Sequence, residues 1–156
     1  MTKMNDDGGL IGMRTEDLRV QALKNPLGIN ENPVFSWQLV SDKKDEKNER
    51  QTAYRILVSE SEASLINETG MLWDSGVVKE SRCFGILYQG KKLHSAQKAY
   101  WKVMVWDGEN QASVWSETAS FETGLLERED WKGTWIGQGE DYENQELAPV
   151  LVGEFE

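Results

Sequence analysis

The chain has one cysteine, Cys83, and one histidine, His94. A single cysteine excludes an internal disulfide, and a single histidine excludes a metal site built from several imidazoles. No apolar run approaches the ~20 residues that a membrane-spanning helix needs. Basic residues are in the minority: 17 Lys and Arg stand against 27 Asp and Glu, for a formal net charge of −10. That balance leaves no basic surface to neutralise phosphates or anionic headgroups, which argues against nucleic acid and membranes as partners. The first 12 residues lack a basic region followed by an apolar stretch, so they do not read as a signal peptide. With an unpaired cysteine, this favours a cytoplasmic setting. No Gly-rich phosphate loop, zinc spacing or serine elbow is present, and no cofactor or metal is expected.

What the chain does have is short-period alternation. Leu18, Val20 and Ala22 alternate before the breakers Pro26 and Gly28. Val34 to Leu39 follows Pro33 as a second strand, and a mixed-charge run over 42–50 reads as a solvated loop. In Ala53 to Ser59, Tyr54, Ile56 and Val58 share one face, while Arg55, Leu57 and Ser59 share the other. Ser59-Glu60-Ser61-Glu62 has capping-box spacing and predicts one or two helical turns through Ile66, ended by Gly70. Met71 to Trp73 and Phe84 to Tyr88 predict short strands, with a turn at Asp74-Ser75-Gly76. Tyr100 to Trp106 is the strongest strand, with Trp101, Val103 and Val105 on one face. Asp107 to Asn110 predicts a hairpin, with Val114 to Thr123 as its partner strand.

About seven short strands and one short helix predict an all-β chain folded as an antiparallel two-sheet sandwich. The expected core is Trp37, Tyr54, Ile56, Val58, Trp101, Val103 and Val105. The expected organisation is a flexible tail over 1–16, the sandwich over 17–124, a linker over 125–147 that carries Trp131 and Trp135, and a further strand over 148–156. A strand at the end of the chain has no sheet to join, which reads as the cut start of a second domain.

Several stretches carry a family likeness. They are Asn32-Pro33-Val34-Phe35-Ser36-Trp37, Gln51-Thr52-Ala53-Tyr54-Arg55-Ile56, Trp73-Asp74-Ser75-Gly76, Tyr100 through Asp107, Trp115-Ser116-Glu117, and Phe121 through Leu126. Asp130-Trp131 and Trp135-Ile136-Gly137 complete the set. In order and spacing they resemble the N-terminal region of bacterial α-L-rhamnosidases. The resemblance implies a fibronectin type III-like (immunoglobulin-like) sandwich that precedes further sandwich domains and a catalytic (α/α) barrel. It also implies a parent that is an inverting glycoside hydrolase removing terminal α-L-rhamnose, and neighbouring domains of that parent as partners. One departure concerns the tyrosine corner of such domains. The sixth residue after Leu93 is Ala99, with Tyr100 one position late, so the corner is expected to be missing.

Neither catalysis nor rhamnose binding of useful affinity is expected of this chain. The 27 acidic residues make carboxylate pairs inevitable, but Asp74 and Asp107 sit in turn contexts that favour Asp for its own backbone bonds. Seven tryptophans raise an alternative, a carbohydrate-binding module whose exposed rings stack on sugars. Trp73, Trp106, Trp115, Trp131 and Trp135 are the candidate interface or sugar-stacking residues. The competing reading has the same rings packed in the core or against a neighbouring domain. Trp115-Ser116-Glu117 resembles the Trp-Ser box of receptor fibronectin domains, where basic side chains interleave with Trp. Lys102 is therefore expected within about 6 Å of an aromatic ring on the outer sheet face.

Overall fold

The computed structural model describes residues 3–4, 10–41 and 50–133. The charged run over 42–49, Trp135 and the strand predicted over 148–155 lie outside the described residues. A short ladder pairs β1 (Lys3–Met4) with β2 (Leu10–Ile11). Then follow β3 (Met13–Val20), β4 (Val34–Ser41), β5 (Ala53–Ser59), α1 (Glu62–Ile66), β6 (Met71–Asp74), β7 (Ile86–Leu87), β8 (Lys98–Trp106) and β9 (Ala119–Glu122). One antiparallel sheet has the order β3-β4-β7, and the facing antiparallel sheet has the order β6-β5-β8-β9. The seven strands from β3 to β9 make an all-β sandwich with one short helix, as the alternation predicts.

All seven predicted core residues are buried. The ring that ties the two sheets together is Phe35 of β4. It meets Trp101 at 4.6 Å, Trp73 at 5.9 Å and Phe121 at 6.0 Å between centroids, all three from the facing sheet. Such offset and edge-on pairs add about 0.5–1.5 kcal/mol each beyond their burial. Deeper in β4, Trp37 packs edge-on to Tyr54 at 5.5 Å and donates its indole N–H to Gln51 Oε1 at 3.0 Å. The Gln51 amide nitrogen in turn donates to the carbonyls of Glu80 and Arg82. A buried amide with its partners in place fixes the 80–82 crossing to the core.

Four expectations need correction. The first strand starts at Met13, inside the stretch expected to be tail, and ends at Val20, so Ala22 lies beyond it. Its alternation is broken by a bulge: Glu16 pairs with Gln38 and Arg19 with Ser36, so Asp17 and Leu18 together oppose Trp37. Asp17 takes φ 50°, and the inward set switches from Met13 and Thr15 to Leu18 and Val20. The predicted Phe84–Tyr88 strand contracts to β7, because Gly85 at φ 68° turns the chain and leaves Phe84 outside. The predicted Val114–Thr123 strand contracts to β9. Before it, Ser113 and Ser116 hydroxyls accept the amides of Val105 and Val103, so side chains replace part of the ladder. Finally, α1 is capped by Ser61 rather than Ser59, with Ser61 Oγ accepting the amide of Ser64 at 3.1 Å.

Ala99 is fully buried, in keeping with a missing tyrosine corner. Thr123 ties the loop down instead. Its hydroxyl donates to the His94 carbonyl and accepts the Gln97 amide at 2.8 Å.

Candidate functional site

The four-stranded sheet turns its apolar side inward, and its outer side carries Arg55, Leu57 and Lys102 at alternate or paired positions. Leu57 pairs with Lys102 across β5 and β8. The 113–118 segment, held to β8 through Ser113 and Ser116, brings Trp115 over this face. The Lys102 ammonium lies 4.5 Å from the Trp115 ring centroid, and the Arg55 guanidinium lies 5.8 Å from it. The contact expected for Lys102 is present, with Trp115 as the ring.

Carboxylates complete the group. Arg55 donates two parallel hydrogen bonds to Asp74, at 2.9 and 2.7 Å. Glu68 lies 3.7 Å from Lys102 and 3.9 Å from Arg55. The hydrogen bond from Arg55 holds the Asp74 carboxyl below its ordinary range, and Asp74 in return raises the Arg55 guanidinium. Lys102 is only 8% exposed, and its ammonium sits between the Trp115 ring and Glu68 while its stem packs on the sheet. This is a closed arrangement of paired charges, and its ring is engaged by cations.

Asp74 Oδ1 also accepts the Gly76 amide at 2.9 Å, and Asp107 Oδ1 accepts the amides of Glu109 and Gln111 at 2.9 and 2.8 Å. These carboxylates perform the turn chemistry expected of them. Cys83 is half-buried and its carbonyl accepts the Trp37 amide; the His94 amide donates to Gln97 Oε1. Among the described residues, no group of three His, Cys, Asp or Glu side chains is placed to hold a metal ion.

The candidate tryptophans do not converge. Trp73 is half-buried and packs edge-on to Tyr88 at 5.4 Å. Trp106 is half-buried at the end of β8, opposite Ala53. Trp115 covers the outer face as described. Trp131, at 58% exposure, follows a short 3-10 turn over Arg128–Asp130, and Trp135 is outside the described residues. That turn is anchored to the sandwich, because Ser95 Oγ donates to Asp130 and accepts the Leu126 amide at 2.7 Å. Leu126 packs against the core, so the start of the predicted linker is part of the folded unit.

One of several concavities on the surface was not visible in the strand pattern. A cleft of about 340 Å³ opens between the 75–82 crossing and the 85–89 segment. Its lining includes Tyr54, Trp73, Glu80, Arg82, Leu87 and Gln89. Arg82 Nε donates to Glu80 Oε1, and this bond holds the Glu80 carboxyl below its ordinary range. Burial raises the Tyr54 hydroxyl, with Glu80 adding to the effect. The sequence signal was slight: Glu80 and Arg82 stand two apart in a stretch without periodicity, and only the crossing over Gln51 brings them to Tyr54.

Comparison with known proteins follows the same outline as the fold. A family model described as "Rha78A-like, N-terminal immunoglobulin domain" matches residues 15–127. An α-L-rhamnosidase of Alteromonas sp. is 43% identical over 114 residues, 72% of this chain and 12% of that protein. One from Formosa agariphila is 42% identical over 118 residues, 75% of this chain and 12% of that protein. Among solved structures, the α-L-rhamnosidase of Dictyoglumus thermophilum aligns with a TM-score of 0.75 at 42% identity, over 81% of this chain and 14% of that one. The Streptomyces avermitilis α-L-rhamnosidase, solved in complex with L-rhamnose, aligns with a TM-score of 0.74 at 32% identity, over 81% of this chain and 12% of that one. The chain thus spans about 12% of the length of the curated relatives it matches.

Proposed function

Because the chain belongs to the Rha78A-like N-terminal immunoglobulin-domain family, we propose that it is a non-catalytic structural module of a multidomain α-L-rhamnosidase. Its parent removes terminal α-L-rhamnose from glycosides, and this sandwich supports and orients the domains beside it. The observation that carries the reading is the disposition of its carboxylates. Asp74 is bonded to Arg55 and to a turn amide, Asp107 to two turn amides, and Glu80 to Arg82. An inverting glycosidase needs instead an acid and a base about 6.5–9.5 Å apart on opposite sides of a sugar, both free to exchange protons. The anchored 124–131 segment supports the scaffold role, since it gives the sandwich a fixed exit that carries the exposed Trp131.

Two measurements test this. The purified chain, incubated with a chromogenic α-L-rhamnoside, should release nothing above blank; turnover that persists through repurification overturns the reading. In the Alteromonas enzyme, deletion of the matching domain should lower the unfolding midpoint while leaving the rate per folded molecule within about threefold, well under the 10²-fold typical of removing catalytic machinery. A rate loss on the catalytic scale, with the midpoint unchanged, would contradict a scaffold role.

A further inference from the structure

The cleft over Tyr54 and Trp73 sets an aromatic wall beside polar side chains of several kinds. The outer-face group around Trp115 is closed on itself, whereas here polar atoms of different kinds converge on open space. We propose that this cleft is a binding subsite for a neutral monosaccharide or a terminal sugar unit.

Charge is the first reason. Glu80 and Arg82 neutralise one another, so the cleft offers neither an anion nor a cation a net attraction. It does offer directional groups. Glu80 holds both the Arg82 guanidinium and the Tyr54 hydroxyl and keeps further lone pairs to accept from a ligand, Arg82 keeps N–H groups to donate, and Gln89 can do both. Vicinal hydroxyls, each donor and acceptor at once, match an adjacent carboxylate and guanidinium. Shape is the second reason. The half-buried Trp73 forms an apolar wall, and Leu87, 53% exposed, extends it at the rim. A pyranose presents a C–H face to such a wall and hydroxyls around its edge. Size is the third: about 340 Å³ is the room of roughly ten waters at about 30 Å³ each, enough for one sugar ring and too little for a folded partner. A protein segment docking here would need a larger continuous apolar surface.

The inference is independent of the scaffold role, since a sandwich can support its neighbours and hold a sugar, and its failure leaves the hydrolysis result unchanged. The test uses the intact chain, labelled with ¹⁵N and titrated separately with L-rhamnose, D-glucose and D-galactose to about 100 mM, beyond the millimolar affinity expected of so small a ligand. The expected result is saturable shifts of the Trp73 indole N–H and the 85–89 amides with at least one sugar. Trp73 also packs on Phe35 and Tyr88, so its removal tests folding as well as binding. Glu80→Gln and Arg82→Gln are the cleaner variants, because both side chains are partly exposed. Each should weaken binding about tenfold by removing a charge-assisted bond, with amide dispersion unchanged. No saturation with any of the three sugars overturns the proposal. So do saturable shifts confined to Trp106 or Trp115, and so does affinity that both variants leave intact.

Discussion

The two faces of the four-stranded sheet are built from the same strands by different means. On the inner face, Ile56, Val58, Trp101, Val103 and Val105 follow strict alternation and are sealed by the facing sheet. On the outer face, alternation assigns Arg55, Leu57, Ser59 and Lys102 to solvent, yet Leu57 and Ser59 are fully buried and Lys102 nearly so. The cover comes from elsewhere in the chain. Helix α1 packs on β5 and β8, with Leu65 buried beneath it, and Trp115 lies over Lys102. Strand periodicity reports which side faces the other sheet. It is silent about a face closed by a short helix and a looped-back tryptophan.

The largest expected effect breaks the inner face. Trp101→Ala removes a fully buried ring that touches Phe35 at 4.6 Å and should cost about 3–5 kcal/mol in urea unfolding. A loss below about 1 kcal/mol would mean that Trp101 is not central to the core. Gln51→Leu probes a buried side-chain amide that links the core to the 80–82 crossing. It leaves the Trp37 indole N–H and the Glu80 and Arg82 carbonyls without their partner, so about 1–3 kcal/mol should be lost despite the similar volume. An unchanged unfolding free energy would show that water replaces the amide at no cost.

These two substitutions also mark what the sequence makes legible. Trp101 is evident from a single strand, because its neighbours two positions away are apolar and β-branched. The role of Gln51 is invisible at that level, since its partners lie 14 to 31 positions away and meet it only after the sheets close. The same division runs through the fold. Strand β5 and the end of β8 are fixed by local alternation and turn residues. The start of β3 is concealed because the Asp17 bulge inverts its parity, and the 113–118 segment resembles a strand while its serines bond β8 through both amide and hydroxyl in place of a regular ladder. Of the candidate site, the Lys102–ring contact was legible from side-chain parity and the Trp115-Ser116 pair. The Arg55, Glu68 and Asp74 partners were not, because they arrive from β5, the α1–β6 loop and the end of β6. Phe35, the ring that joins the sheets, shares its face with Trp37, and that parity alone marks it as core.

On the outer face the effects should be smaller and of a different kind. Trp115→Ala uncovers Lys102 and removes the cation–π contact, worth about 0.5–1 kcal/mol, together with some apolar cover. A total near 1–2 kcal/mol is expected. Lys102→Met should lie within about 1 kcal/mol of the native chain, because packing under the ring is kept when the charge is removed. If Lys102→Met cost as much as Trp115→Ala, the charge rather than the cover would hold this face, and the contrast with the inner face would be electrostatic.

The smallest expected effect separates charge from turn geometry at Asp74. Asp74→Asn keeps an oxygen to accept the Gly76 amide and removes the charge that pairs with Arg55. The hydrogen bond from Arg55 depresses the Asp74 carboxyl in the folded chain. A depressed folded value means that the unfolded state binds the proton more readily, so the pair stabilises the fold above the unfolded carboxyl value of about 3.9. That stability falls away as pH drops through the lower, folded value. Both groups are partly exposed, at 30% and 39% of their side-chain surface, so solvent screening limits the difference between native chain and variant to about 1 kcal/mol or less. Unfolding curves at pH 7 and at pH 2 to 3 should therefore show the native chain ahead at the higher pH and the two converging at the lower. A gap that persists unchanged into acid would assign the stabilisation to hydrogen-bond geometry at the turn, and the ion pair would then contribute nothing measurable to holding β5 against β6.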